Sequence, residues 1–181
     1  MLFLVKRRIP LLLGNLIEVA GVLFGISLIA LAPAVPTIPL AFLLYLIAWF
    51  CLLFFPHGLT HYLVGVVVGL RFRHYSFGKS SVSKLRMRFL SVFASKLVVL
   101  TLRVDQASLR SVSPLRRSIM FSSGAVASMV LPFFAAAASI GHLPSALSAL
   151  LLLISAANFA FDLYYSQKAG DISRAKYAPR T

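Results

Sequence analysis

The chain has 181 residues, 60% of them apolar, with a mean hydropathy of +0.91 and only four Asp or Glu. A water-soluble surface needs about a quarter of the chain charged; the 12% found here excludes an ordinary soluble domain and a disordered tail. The single cysteine, Cys51, sits in an apolar run and excludes a disulfide framework or a Cys-based metal site.

Crossing about 30 Å of hydrocarbon takes about 20 apolar residues. The first such segment, 9–32, follows Lys6, Arg7 and Arg8. Its apolar core is too long for a signal peptide and contains Glu18, so it reads as a retained span. Asn15 and Glu18 are its polar residues, and Gly21 and Gly25 form a close-packing pair four apart. The uncharged APAVPTIP (32–39) reads as a tight hairpin loop.

The second span, 38–70, is interrupted in its chemistry by PHGLTH, which carries His57 and His61. A basic loop, 71–117, follows and holds eleven Lys and Arg. Within it KLRMRFL (84–90) alternates basic and apolar residues, and VVLTLRV (98–104) is rich in β-branched side chains. Period two predicts a short β-hairpin, with a basic amphipathic helix on the membrane surface as the alternative. Ser113-Pro114 reads as the N-cap and first residue of the next helix. The third span, 118–140, contains the small pair Gly124 and Ser128. After the turn GHLPS, a fourth span, 147–165, carries Asn158 and Asp162.

All eighteen Lys and Arg flank one side of these spans, so the positive-inside rule places both termini and the basic loop in the cytoplasm. The expected architecture is one all-α domain, 1–181: a four-helix transmembrane bundle, multi-pass in the cell membrane, with a β-hairpin in the loop. The basic residues then meet anionic lipid headgroups, which accounts for the net charge of +14 without nucleic-acid binding.

Ionisable groups inside a span are costly and read as functional by default. His57 and His61 stand at i and i+4, one face of a helix, where two imidazoles suit one Zn²⁺. The alternative is a pair bonded to backbone carbonyls or lining a wet cleft. At 1.5 Å per residue, His57 and His61 lie about 21 and 15 Å in from Arg71, and Glu18 about 15 Å in from Arg8. Asp162, about 9 Å in from Lys168, is the expected third ligand. Asp171 reads instead as the cap of a short cytoplasmic helix and is the second candidate. His74 and His142 are expected to take no part.

A histidine pair at i, i+4 in a second span, followed by a loop with strand character, resembles the site-2 protease family of intramembrane zinc metalloproteases. FSSGAVAS (121–128) is similar to the small-residue turn opening that family's third core span. Asn158 and a downstream Asp resemble its Asn and aspartate-ligand segment. The likeness covers residues 38–171 as scattered motifs. It implies zinc and hydrolysis of a membrane-protein substrate. The family motif is HExxH, whose glutamate is the general base; here HGLTH puts Gly58 in that place. Either the chain is a catalytically silent relative, or another carboxylate serves as the base, and Glu18 is the only intramembrane glutamate. A membrane scaffold that binds partners, and a small proton or metal-ion transporter, are the rival expectations.

Overall fold

The computed structural model describes residues 8–79, 98–168 and 170–176. Helix α1 (Leu11–Leu31) is followed by a 3₁₀ turn (Ala32–Ala34) and α2 (Ile38–Val67). Strands β1 (Arg8–Ile9), β2 (Phe72–Lys79) and β3 (Val98–Val104) form one antiparallel sheet in that order. A short α3 (Gln106–Ser111) leads to α4 (Pro114–Val130) and α5 (Pro132–Ala138), which together make the third apolar segment. Finally α6 (Ser145–Lys168) is followed by α7 (Asp171–Lys176). Among the described residues, four segments are long and apolar enough to cross a membrane: Leu11–Ala34, Ile38–Val67, Pro114–Ala138 and Ser145–Ser173.

The central helix is α2, with α1 on one side and α4 and α5 on the other; α6 packs on α4 and α5. In lipid no hydrophobic force drives helices together, so close backbone approach does. The buried stripe of α1 is Gly14, Glu18, Gly21, Gly25 and Leu28. A Cβ at Gly21 would run into the Phe55 ring, and one at Gly25 would lie 2.8 Å from Cys51 Cβ. Two bonds tie α2 to its other neighbours: Trp49 Nε1 donates to Ser155 Oγ (2.8 Å, buried) and Tyr45 Oη to the Ala138 carbonyl (3.1 Å, partly buried). Outward-facing side chains such as Leu12, Leu23, Phe24, Phe50 and Leu153 remain exposed, as a bilayer-facing surface requires.

Helix α2 ends in a Schellman motif. Leu70 N–H bonds the Gly65 carbonyl and Gly69 N–H the Val66 carbonyl, with Gly69 at φ 91°, a conformation glycine adopts without strain. The reversal sends β2 back along the bundle's end. There Tyr75, fully buried, lays its ring on Gly14 and donates its hydroxyl to Asn15 Oδ1 (2.8 Å), while Ile9 pairs with Tyr75 across the sheet. The start of α1 is thus fixed by the sheet. Burial pushes the Tyr75 phenol well above its ordinary range, with the charge of Glu18 adding to the effect.

VVLTLRV is a strand, as its composition predicts, and Ser113 caps α4 by accepting from Arg116 N–H (3.4 Å), with Pro114 following. The expected partner strand KLRMRFL lies outside the described residues. Strand β3 pairs with Phe72–Lys79, and β1 joins from before the first span, so among the described residues the fold is mostly helical with a small three-stranded sheet. Asp105 caps α3 through Ser108 N–H, and its bond from Arg73 holds its carboxyl below the usual carboxylate range.

Candidate metal centre

His57 and His61 lie one turn apart on α2, with ring centroids 4.8 Å apart and planes at 88°. Each ring is fixed by its Nδ1. The Ser128 hydroxyl on α4 donates its one proton to the Leu53 carbonyl (3.0 Å), so toward His57 Nδ1 (3.0 Å) it can only accept. His61 Nδ1 stands 2.7 Å from the Met120 carbonyl, which is an acceptor only. This network places a proton on Nδ1 in both rings; in its neutral form each ring then carries its lone pair on Nε2. The two Nε2 atoms converge on Asp171 Oδ2, at 3.2 Å from His57 and 3.4 Å from His61.

The three atoms meet in a partly buried space. One ligand atom from each of His57, His61 and Asp171 lies within 4.8 Å of the others, placing the trio to hold a metal ion. Two imidazole nitrogens and a carboxylate oxygen are a donor set that zinc takes. The two His–Asp separations of 3.2 and 3.4 Å are near the ~3.3 Å between tetrahedral zinc ligands, and the whole set lies within 4.8 Å. Histidines that hold a metal through Nε2 characteristically give their other N–H to a backbone or side-chain acceptor, as both do here.

Of the two candidate third ligands, the structure brings Asp171 to the histidines and not Asp162. Asp162 is bonded to Asn158 and feels His57 only electrostatically, whereas Asp171 touches both histidines. Depth counted along a straight fourth helix misses the turn at Gly170, whose N–H bonds the Tyr165 carbonyl and after which α7 folds back onto α4. Asp171 does also open a short helix, as its sequence context suggests. His74 and His142 are not part of the group.

Two residues read from the sequence as helix-packing elements belong to the site. Ser128 orients His57. Gly124 lies under His61, and a Cβ there would overlap Nε2 and come within 2.6 Å of Cδ2. Their four-residue spacing pointed to the right helix face, but the sequence holds no sign that this face meets the histidines. Gly124→Ala is expected to push His61 off the convergence point and Ser128→Ala to unfix His57. Each should weaken metal affinity by about 10–100-fold, the usual scale for losing an outer support, measurable by competition with a zinc indicator. Unchanged affinity in both would mean that these contacts do not shape the site.

Glu18 reaches Gly58. Its Oε2 accepts Leu59 N–H (2.6 Å), the Gly58 N–H bonds the same carboxylate, and the side chain is buried at 3% exposure. A Cβ on Gly58 would overlap Glu18 Oε1 and lie 3.0 Å from Cδ. The carboxylate of α1 therefore fills the space beside residue 58, and electrostatic interaction links it to His57. Pro56, without an N–H, precedes this stretch of α2, and Asn158 Nδ2 donates to the Ser128 carbonyl (3.1 Å), tying α6 to the helix that carries Ser128. Comparison with known proteins finds no matching family model, no matching curated protein and no matching solved structure.

Proposed function

We propose that this chain is an intramembrane zinc metallopeptidase of site-2-protease-like design, with zinc held by His57, His61 and Asp171 and with Glu18 as general base. The observation that carries this reading is the coincidence of two placements. Three metal-ligating atoms converge on α2, and a carboxylate from another helix fills the position left by Gly58 in HGLTH. A general base needs hydrogen-bond reach to its proton and no fixed place in a motif.

Bound zinc would supply a Lewis acid for the scissile carbonyl and lower the pKa of water toward 7. Glu18 takes a proton from the attacking water as the new C–O bond forms, then returns it to the departing amide nitrogen as C–N breaks. The Gly58 and Leu59 N–H groups hold its carboxylate in one orientation throughout. The substrate is a membrane protein, and the sheet end, rich in Arg, faces the cytoplasm and anionic headgroups.

The same two N–H bonds favour one rival reading: Glu18 is a helix-to-helix tie, and the chain is a scaffold that retained the bundle without the chemistry. Glu18→Gln separates the two, because the amide keeps an acceptor oxygen for the N–H groups but takes no proton. Under the proposal, Glu18→Gln retains zinc and loses about 10²–10⁴ in cleavage rate. The assay is amino-terminal sequencing of membranes from cells expressing each form. New chain termini in or beside apolar segments are expected with wild type and missing with Glu18→Gln and His57→Ala. Identical termini in all three would leave the scaffold reading.

A further inference from the structure

Helix α1 carries Glu18 to α2, where the carboxylate accepts the Gly58 and Leu59 N–H groups. It packs chiefly on α2 and, at its start, on β2. Beyond Glu18 its buried stripe sets glycine against apolar groups, Gly21 on the Phe55 ring and Gly25 beside Cys51. Small residues bring the two backbones close, but smooth apolar contact does little to fix how far one helix slides along the other. One residue of slip is about 1.5 Å along the axis, enough to break the 2.6 Å bond from Leu59 N–H to Glu18 Oε2.

Strand β2 touches both helices through two aromatic rings. Phe72 lies on α2: a Cβ at Gly65 would overlap its ring, and the Tyr62 ring is 5.5 Å away between centroids. Tyr75 lies on α1, with its ring on Gly14 and its hydroxyl donating to Asn15 Oδ1 (2.8 Å). Residues three apart on a regular strand point to opposite faces. Here the register breaks between Phe72, opposite Val104, and His74, opposite Arg103, so two steps on β2 meet one on β3. An irregularity of this kind re-aims a side chain, and both rings reach the bundle. Gly14 and Asn15 stand four and three residues before Glu18, on its side of α1. Ile9, paired with Tyr75, leads through Pro10 straight into the helix. The geometry points to Tyr75 as a positioning residue for Glu18: seated on α2 through Phe72, strand β2 sets where α1 stands along α2 and so delivers the carboxylate to Gly58. That this carboxylate is the general base rests on the function proposed above.

The test reads the Gly58 amide by NMR in the full chain in detergent. Gly58 is the one glycine that follows a histidine, so ¹³C-carbonyl histidine with ¹⁵N-glycine isolates its signal. Glu18→Ala removes the acceptor and marks where that signal goes when the bond is lost. Tyr75→Ala should move it to the same place. Tyr75→Phe, which keeps the ring on Gly14 and loses the bond to Asn15, should move it part of the way. A merely structural Tyr75 would disturb its neighbour Gly14 and leave Gly58 where it was. Cleavage should fall with the signal, by about 10²-fold for a displacement of about 1 Å. A Gly58 signal unmoved in either Tyr75 variant overturns the proposal, and Tyr75→Phe decides by itself if Tyr75→Ala fails to fold. A signal indifferent to Glu18→Ala overturns the bond and the proposal with it. Movement in the Tyr75 variants without any cleavage by wild type would leave the positioning standing and overturn Glu18 as the base.

Discussion

Moving the base from one helix to the other should move activity with it. Gly58→Glu alone is expected to inactivate the protein, because its Cβ overlaps Glu18 Oε1 and a second carboxylate would share the same buried space. Overpacking of this kind costs about 1–3 kcal/mol, and charge repulsion adds to it. Glu18→Ala alone should remove the 10²–10⁴-fold that a general base contributes. The double variant, Glu18→Ala with Gly58→Glu, vacates the space from α1 and refills it from α2, turning HGLTH into HELTH. It should recover at least part of the cleavage lost in either single variant. The two substitutions are non-additive by construction, which is the signature of residues sharing one place. A double variant as inactive as Glu18→Ala, yet folded and zinc-loaded, would show that Glu18 is not the base.

The two aspartates should differ sharply in their effect on metal. Asp171→Ala removes one of the three proposed ligands and leaves two histidines, a set that rarely holds zinc in a closed site. Asp162→Ala removes a group that touches neither histidine among the described contacts. Zinc affinity by competition titration is therefore expected to fall by more than about a hundredfold for Asp171→Ala and to stay near wild type for Asp162→Ala. The reverse order would restore the ligand assignment that depth alone suggested.

Much of this site is legible in the sequence because helices carry their own ruler. Spacing of i, i+4 puts His57 and His61 on one face, and a fixed rise per residue sets Glu18 level with His61; Gly21 and Gly25 bring α1 close enough for the carboxylate to arrive at Gly58. The same ruler fails at Asp171, because a count along α6 does not register that Gly170 turns the chain back. The sheet was half visible. β-branched residues mark Val98–Val104, but strand pairing is non-local, and nothing in Arg8–Ile9 or in the Arg- and aromatic-rich Phe72–Lys79 says which strands will meet. Tyr75 shows the consequence. Only the pairing places it against Gly14 and Asn15, one turn before Glu18.

The metal centre is the claim on which the proposed chemistry depends, and elemental analysis of the purified chain tests it most directly. Protein purified in detergent without chelator should carry about one zinc per chain, the stoichiometry of a site with a single set of three protein ligands. The His57→Ala/His61→Ala variant, purified in parallel, should carry essentially none. Zinc absent from wild type after incubation with the metal, or present equally in wild type and the double variant, would contradict the account.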